Sequence, residues 1–144
     1  MDQSLSLSWT INRAKSLGAA YRTAFGLAVL VEMLVAGAAL VAPLWTASLA
    51  GGMSSPPTLT ATLTDWIRAW ACMLLLFLLI QLPAPLDAPR KRWLNLGAVA
   101  GRLIQAIAYA LLGFTWLAAL EGILFVLLTV TLYRHMTAVL MSRP

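Results

Sequence analysis

Charge is what this chain has least of. Asp, Glu, Lys and Arg make up 10% of its 144 residues, against about 25% in an ordinary soluble domain. A water-soluble fold of this size is excluded, because its surface could not stay dispersed with so little charge. Nucleic acid is excluded as a partner too: the ten basic residues are too few and too scattered for a phosphate-tracking face. Cysteine occurs once, as Cys72 in an apolar run. One cysteine allows no intrachain disulfide, no CxxC pair and no zinc cluster, and it reads as a small buried hydrophobe. Histidine also occurs once, as His135, whereas a haem in a helix bundle usually takes two axial ligands. No nucleophile–base–acid set, glycine-rich phosphate loop or metal cluster can be assembled, so neither an independent enzyme nor a metal site is expected.

What the chain has in excess is hydrophobic residues, 61% of the total. They fall into four runs, at about 23–45, 65–82, 93–116 and 118–140. Each is about 18–24 residues long, enough to cross a ~30 Å hydrocarbon core as a helix. Strands are excluded, because period-2 alternation is missing and four strands cannot close a barrel. The expected fold is therefore an all-α, integral membrane four-helix transmembrane bundle spanning 23–144, preceded by a separate segment, 1–22. The first run is too long for the core of a signal peptide and contains Glu32, so it reads as a span rather than a cleaved leader. The segment MDQSLSLSWTINRAKSLG mixes Leu5, Leu7, Trp9, Ile11 and Leu17 with serines and basic residues. It fits an interfacial amphipathic helix anchored by Trp9 as well as it fits a frayed tail. No internal repeat is evident.

The connections carry loop chemistry. Residues 46–64 are rich in Gly, Ser, Pro and Thr and hold no charge before Asp65, and Pro83, Pro85 and Pro89 stop the second run. So few residues separate the third and fourth runs that they must form a tight hairpin. Basic residues set the orientation. Arg13, Lys15 and Arg22 precede the first span, Arg90, Lys91 and Arg92 fill the second connection, and Arg134 and Arg143 close the chain. All three clusters fall on one side, which places both termini in the cytoplasm of a multi-pass protein of the cell inner membrane. Trp45, Trp66, Trp70 and Trp116 near one interface and Trp93 near the other read as an aromatic belt.

Two charges lie inside the spans. Glu32 and Arg102 each sit about nine residues in from the basic side, ~13–14 Å deep. Either ion alone costs about 2.5–3.5 kcal/mol at a span centre. They are expected to pair across the first and third helices, the planar guanidinium suiting a carboxylate. Gln105 and Tyr109 follow Arg102 on one helix face, Gly97 and Gly101 form a small-xxx-small step, and Ala28, Glu32, Ala36 and Ala39 form a matching stripe. Two roles suit this set: a clasp that fixes helix pairing, or a cavity for a headgroup, quinone or anionic ligand. A proton relay is disfavoured, because only one carboxylate is visible at that depth. Asp65, Arg68 and Glu121 read as helix starts and rim charges at the opposite interface.

The stretch WIRAWACMLLLFLLIQLPAPLDAPRKRWLNLGAVAGRLIQAIAYALLG, a third of the chain, resembles the small four-helix membrane proteins grouped as DoxX-like and BphX-like. The resemblance rests on Arg68 at the start of the second helix, the Pro85–Arg92 turn, and Gly101–Arg102 inside the third. It implies a four-helix bundle, and some members of that group are membrane subunits of quinone-linked oxidoreductases. It carries over no catalytic residue. The function expected is a non-catalytic accessory subunit that scaffolds other membrane subunits and lipid, with a quinone or lipid as the ligand it would take and no other cofactor. The alternative is a small homo-oligomeric transporter or ligand-binding protein built on Glu32 and Arg102.

Overall fold

A computed structural model describes residues 3–50 and 61–142. Five α-helices run in chain order: α1 (Gln3–Val41), α2 (Pro43–Ala50), α3 (Ala61–Gln81), α4 (Arg92–Leu111) and α5 (Thr115–Met141), with a 3₁₀ turn at Ala84–Asp87 between α3 and α4. Among the described residues there are no strands, and α1, α3, α4 and α5 are each long and apolar enough to cross a membrane. The chain is a membrane-type helical bundle. Large apolar side chains such as Leu34, Met73, Ile104 and Ile123 cover its outer surface, as expected where the solvent is hydrocarbon.

Local chemistry sets most helix ends. Proline has no N–H and disfavours helix in the residue before it. Accordingly α1 stops at Val41, and α2 restarts with Pro43 at its first position. The first apolar run is therefore two helices, and α2 occupies the beginning of the expected loop. The middle of that loop, like Arg143 and the side chains of Leu5 and Leu7, lies outside the described residues. At the far end of α4, Gly113 has φ +81°. Its N–H donates to the Ala110 carbonyl at 3.2 Å, and the Phe114 N–H donates to the Tyr109 carbonyl at 2.8 Å. These are the two bonds of a Schellman cap, and the accompanying apolar contact is the edge-on meeting of the Tyr109 and Phe114 rings at 6.5 Å.

The segment before Arg22 is neither a separate interfacial helix nor a frayed tail. It is the first half of α1, a continuous 39-residue helix, and it packs along the last turns of α5. Gly18 makes that approach possible: a Cβ there would lie 2.8 Å from His135 Cε1. The His135 ring in turn stacks on Tyr21 at 6.4 Å. Tyr21 donates to Asn95 Oδ1. Asn95 Nδ2 donates to the carbonyls of Ala84 and Lys91, each at 3.0 Å. One buried amide thus ties the proline-rich turn and α4 to α1. The start of α1, the α3–α4 turn and the end of α5 therefore share one end of the bundle, the basic end; α2, the start of α3 and the α4–α5 turn share the other.

Neighbour relations differ from the expected ones. α5 packs against both α1 and α4, and α1 also packs against α3, whereas α1 and α4 face each other only across the bundle. Gly97 is exposed and a Cβ on it would meet nothing, while Gly101 abuts Phe77 of α3. The Gly97–Gly101 step therefore does not bring α4 onto α1. The alanine stripe of α1 is buried as expected, Ala28, Ala36 and Ala39 all lying in the core.

Candidate functional site

Each long helix contributes one buried stripe, and these stripes meet in an apolar core interrupted by polar side chains. On α4 the stripe is Asn95, Ala98, Val99, Arg102 and Tyr109. On α5 it is Glu121, Leu124, Leu128 and Leu132. α1 adds Glu32 between Ala28 and Ala36, and α3 adds Ala71, Leu74, Leu78 and Gln81.

At the middle level Arg102 and Glu32 meet as an ion pair across the diagonal of the bundle. The same Arg102 Nη1 also donates to Glu121 Oε2 at 3.3 Å. All three residues are 3% exposed or less. Glu121 is thus not a rim charge. The sequence places it at the start of the last helix, but α5 begins earlier, at Thr115, so Glu121 lies six residues in, about 9 Å from the helix start. That carries it below the interface and onto Arg102. The premise of a single carboxylate at this depth falls with it. Two carboxylates share one guanidinium, and with both ionised the cluster holds one net negative charge in a medium that penalises it.

The arginine's hydrogen-bonding capacity is not used up. Its Nε and Nη2, the second oxygen of Glu32 and the Gln105 Oε1 are buried and make no hydrogen bond among the described residues. Three N–H donors of Arg102 therefore remain for an acceptor. Gln105 is only half-buried, at the edge of the cluster. Tyr109, two turns along α4, stands between Arg102 and the far end, edge-on to Trp70 at 6.2 Å. Trp70 thus turns inward and leaves the aromatic belt, whereas Trp45, Trp66, Trp93 and Trp116 stay exposed.

Beyond Tyr109 a cavity of about 410 Å³ opens, bounded by α2, α3 and the α4–α5 turn; Ala47, Ile67, Trp70, Leu112 and Phe114 form its walls with Tyr109. It shares Thr46, Ala50 and Leu117 with a groove of about 600 Å³ between α1, α2 and α5. Ligand sites are typically about 300–1,000 Å³, apolar, with a few converging polar groups. The cavity matches in volume and in its apolar walls.

The remaining candidate residues stand apart. Asp65 and Arg68 pair at 3.7 Å on the exposed surface of α3. Because α3 begins at Ala61, Asp65 lies in its second turn rather than at its start. Cys72 is exposed on the outer face of α3, not buried. Among the described residues no three of His, Cys, Asp and Glu converge.

Sequence reasoning missed Asn95, Tyr21 and Gln81. Asn95 could have been found, since it lies one heptad before Arg102 and two before Tyr109. Gln81 is buried with neither amide atom hydrogen-bonded among the described residues, and nothing in the sequence around it marks it. Compared with models of known protein families, with curated proteins and with solved structures, the chain matches none.

Proposed function

We propose that this chain is a non-catalytic subunit of a larger inner-membrane assembly, and that it holds a lipid-soluble amphiphile, a quinone or a lipid, in the cavity beyond Tyr109. The observation that carries this reading is that cavity: apolar on its walls, bounded at its inner end by Tyr109, and adjoining a groove along the bundle surface with which it shares Thr46, Ala50 and Leu117. A polar head would lie at the Tyr109 end, and an apolar tail would lie against the groove. With basic residues on the inside, the basic end faces the cytoplasm, together with both termini, and the cavity opens toward the other side. The resemblance of Arg68, the Pro85–Arg92 turn and Gly101–Arg102 to DoxX-like and BphX-like proteins supports the same ligand class.

The test uses the full chain purified in mild detergent. Solvent extraction followed by mass spectrometry should recover a quinone or a phospholipid, and a short-chain quinone should raise the unfolding temperature. Ala47→Trp, which fills the cavity without touching the ion cluster, should abolish that rise. Recovery of no amphiphile, with no stabilisation by any quinone or phospholipid, would sink the ligand reading. A strictly monomeric protein that recovers no other subunit from native membrane would sink the assembly reading.

A second reading is favoured by the two carboxylates on Arg102. A small homo-oligomeric transporter could use the spare negative charge to bind a proton or a cationic group. In that case Glu32→Leu, Arg102→Met and Glu121→Leu together, which leave no ion stranded, abolish transport in vesicles while leaving expression intact.

A further inference from the structure

At the basic end, the N-terminal half of α1 and the last turns of α5 enclose a groove of about 250 Å³. Its polar edge is Arg13, Arg134, Thr10 and Thr137, and its floor is apolar, including Leu17 and Met141. Arg13 is held in place by Trp9, whose ring lies 5.1 Å below the guanidinium carbon. On the opposite flank of the same helix pair Lys15 and Arg22 line a second hollow beside His135. Among the described residues the ion pairs are Arg68–Asp65, Arg90–Asp87, and Arg102 with Glu32 and with Glu121. Among the described residues, therefore, the four cations at the α1–α5 end have no carboxylate partner.

Depth decides what such a groove meets. Arg134 lies nineteen residues beyond the start of α5 at Thr115, or about 28 Å along the helix, close to the ~30 Å thickness of the hydrocarbon core. Arg134 thus sits at headgroup level, with Arg13 just beyond it. Two guanidiniums and the Thr137 hydroxyl over an apolar floor complement a phosphodiester whose acyl chains run down the bundle.

We propose that this groove binds the phosphate of an anionic phospholipid. The site lies at the opposite end from the cavity beyond Tyr109 and does not depend on it. The experiment is native mass spectrometry of the full chain released from nanodiscs holding phosphatidylglycerol and phosphatidylcholine in equal amounts. The wild type should retain phosphatidylglycerol selectively. Each basic side chain near a lipid surface contributes about fivefold, so Arg13→Gln with Arg134→Gln should weaken retention about 30-fold. Thr137→Trp, which fills the groove and keeps every charge, should also lose it, while Arg90→Gln with Arg92→Gln at the same end should not. Equal retention of the two lipids would overturn the proposal, as would equal loss in the Arg90/Arg92 variant, or retention unchanged in both the arginine and tryptophan variants. Free phosphate is separated by a third arm: if inorganic phosphate at millimolar concentration displaces the lipid, the groove is a soluble-anion site and the lipid assignment fails.

Discussion

Removing one carboxylate from Arg102 should do little, and removing both should do a great deal. Arg102 is buried with Glu32 and Glu121 both on Nη1. Glu32→Gln or Glu121→Gln alone leaves one guanidinium facing one carboxylate, a neutral pair that still has an amide oxygen beside it. Each single change should therefore shift stability by about 1 kcal/mol or less, because the lost attraction is offset by the loss of the excess negative charge. In the double variant Arg102 becomes an unpaired ion inside the bundle. Stranding one member of a buried pair typically costs about 3–5 kcal/mol, so the coupling between the two glutamates should reach about 1–3 kcal/mol or more. The reverse experiment makes the same point. Glu32→Leu, Arg102→Met and Glu121→Leu together remove every charge and should fall within about 2 kcal/mol of the wild type, since apolar replacement of a whole buried ionic cluster is often neutral or stabilising.

The assay is reversible unfolding of the full chain in mixed micelles of mild detergent and dodecyl sulfate, followed by helical circular dichroism and by the fluorescence of its six tryptophans. Additive costs for the two glutamine substitutions would refute the three-residue arrangement. A large cost for Glu121→Gln alone, with none for Glu32→Gln, would show that Arg102 pairs along the α4–α5 hairpin and not across the bundle.

Two further outcomes follow from the basic end. Asn95→Leu keeps the branched shape but leaves the Tyr21 hydroxyl and the Ala84 carbonyl without their buried partner; it should cost about 2–3 kcal/mol in the same unfolding assay, with Tyr21→Phe in that background restoring part of the loss. Gly18→Ala places a methyl 2.8 Å from His135 Cε1; it should cost about 1–3 kcal/mol as an overpacked contact, and much less when combined with His135→Ala.

The four spans were legible because hydrophobic runs of membrane length dominate the sequence, and because prolines and Gly113 mark where they end. The meeting of Glu32 and Arg102 was legible from depth alone: both lie a similar number of residues in from the basic side. Neighbour relations were not. Matched depth does not distinguish adjacent helices from diagonal ones, and a side chain as long as arginine reaches either. The Gly97–Gly101 step suggested contact with α1, yet only Gly101 meets another helix, and that helix is α3. Small-residue spacing states that a close approach is permitted, not which helix makes it.

Glu121 carries the strongest lesson, because a small error in a helix boundary changed its chemistry. Starting the last helix at Ala118 puts Glu121 in the first turn, where a carboxylate is stabilised by the helix dipole and by water. The Schellman cap at Gly113 turns the chain sooner, so α5 starts at Thr115. The resulting shift of three residues is about 4.5 Å along the helix axis, enough to carry Glu121 away from the helix start, while its i, i+3 and i+7 spacing with Leu124 and Leu128 puts it on the interior face of α5. The charge that looked peripheral is the one that gives Arg102 a second anion, and with it an odd charge count at the centre of the bundle. A cluster meant only to clasp two helices needs one anion for one cation. The second carboxylate, and the three N–H donors of Arg102 that have no partner among the described residues, exceed what a clasp alone requires.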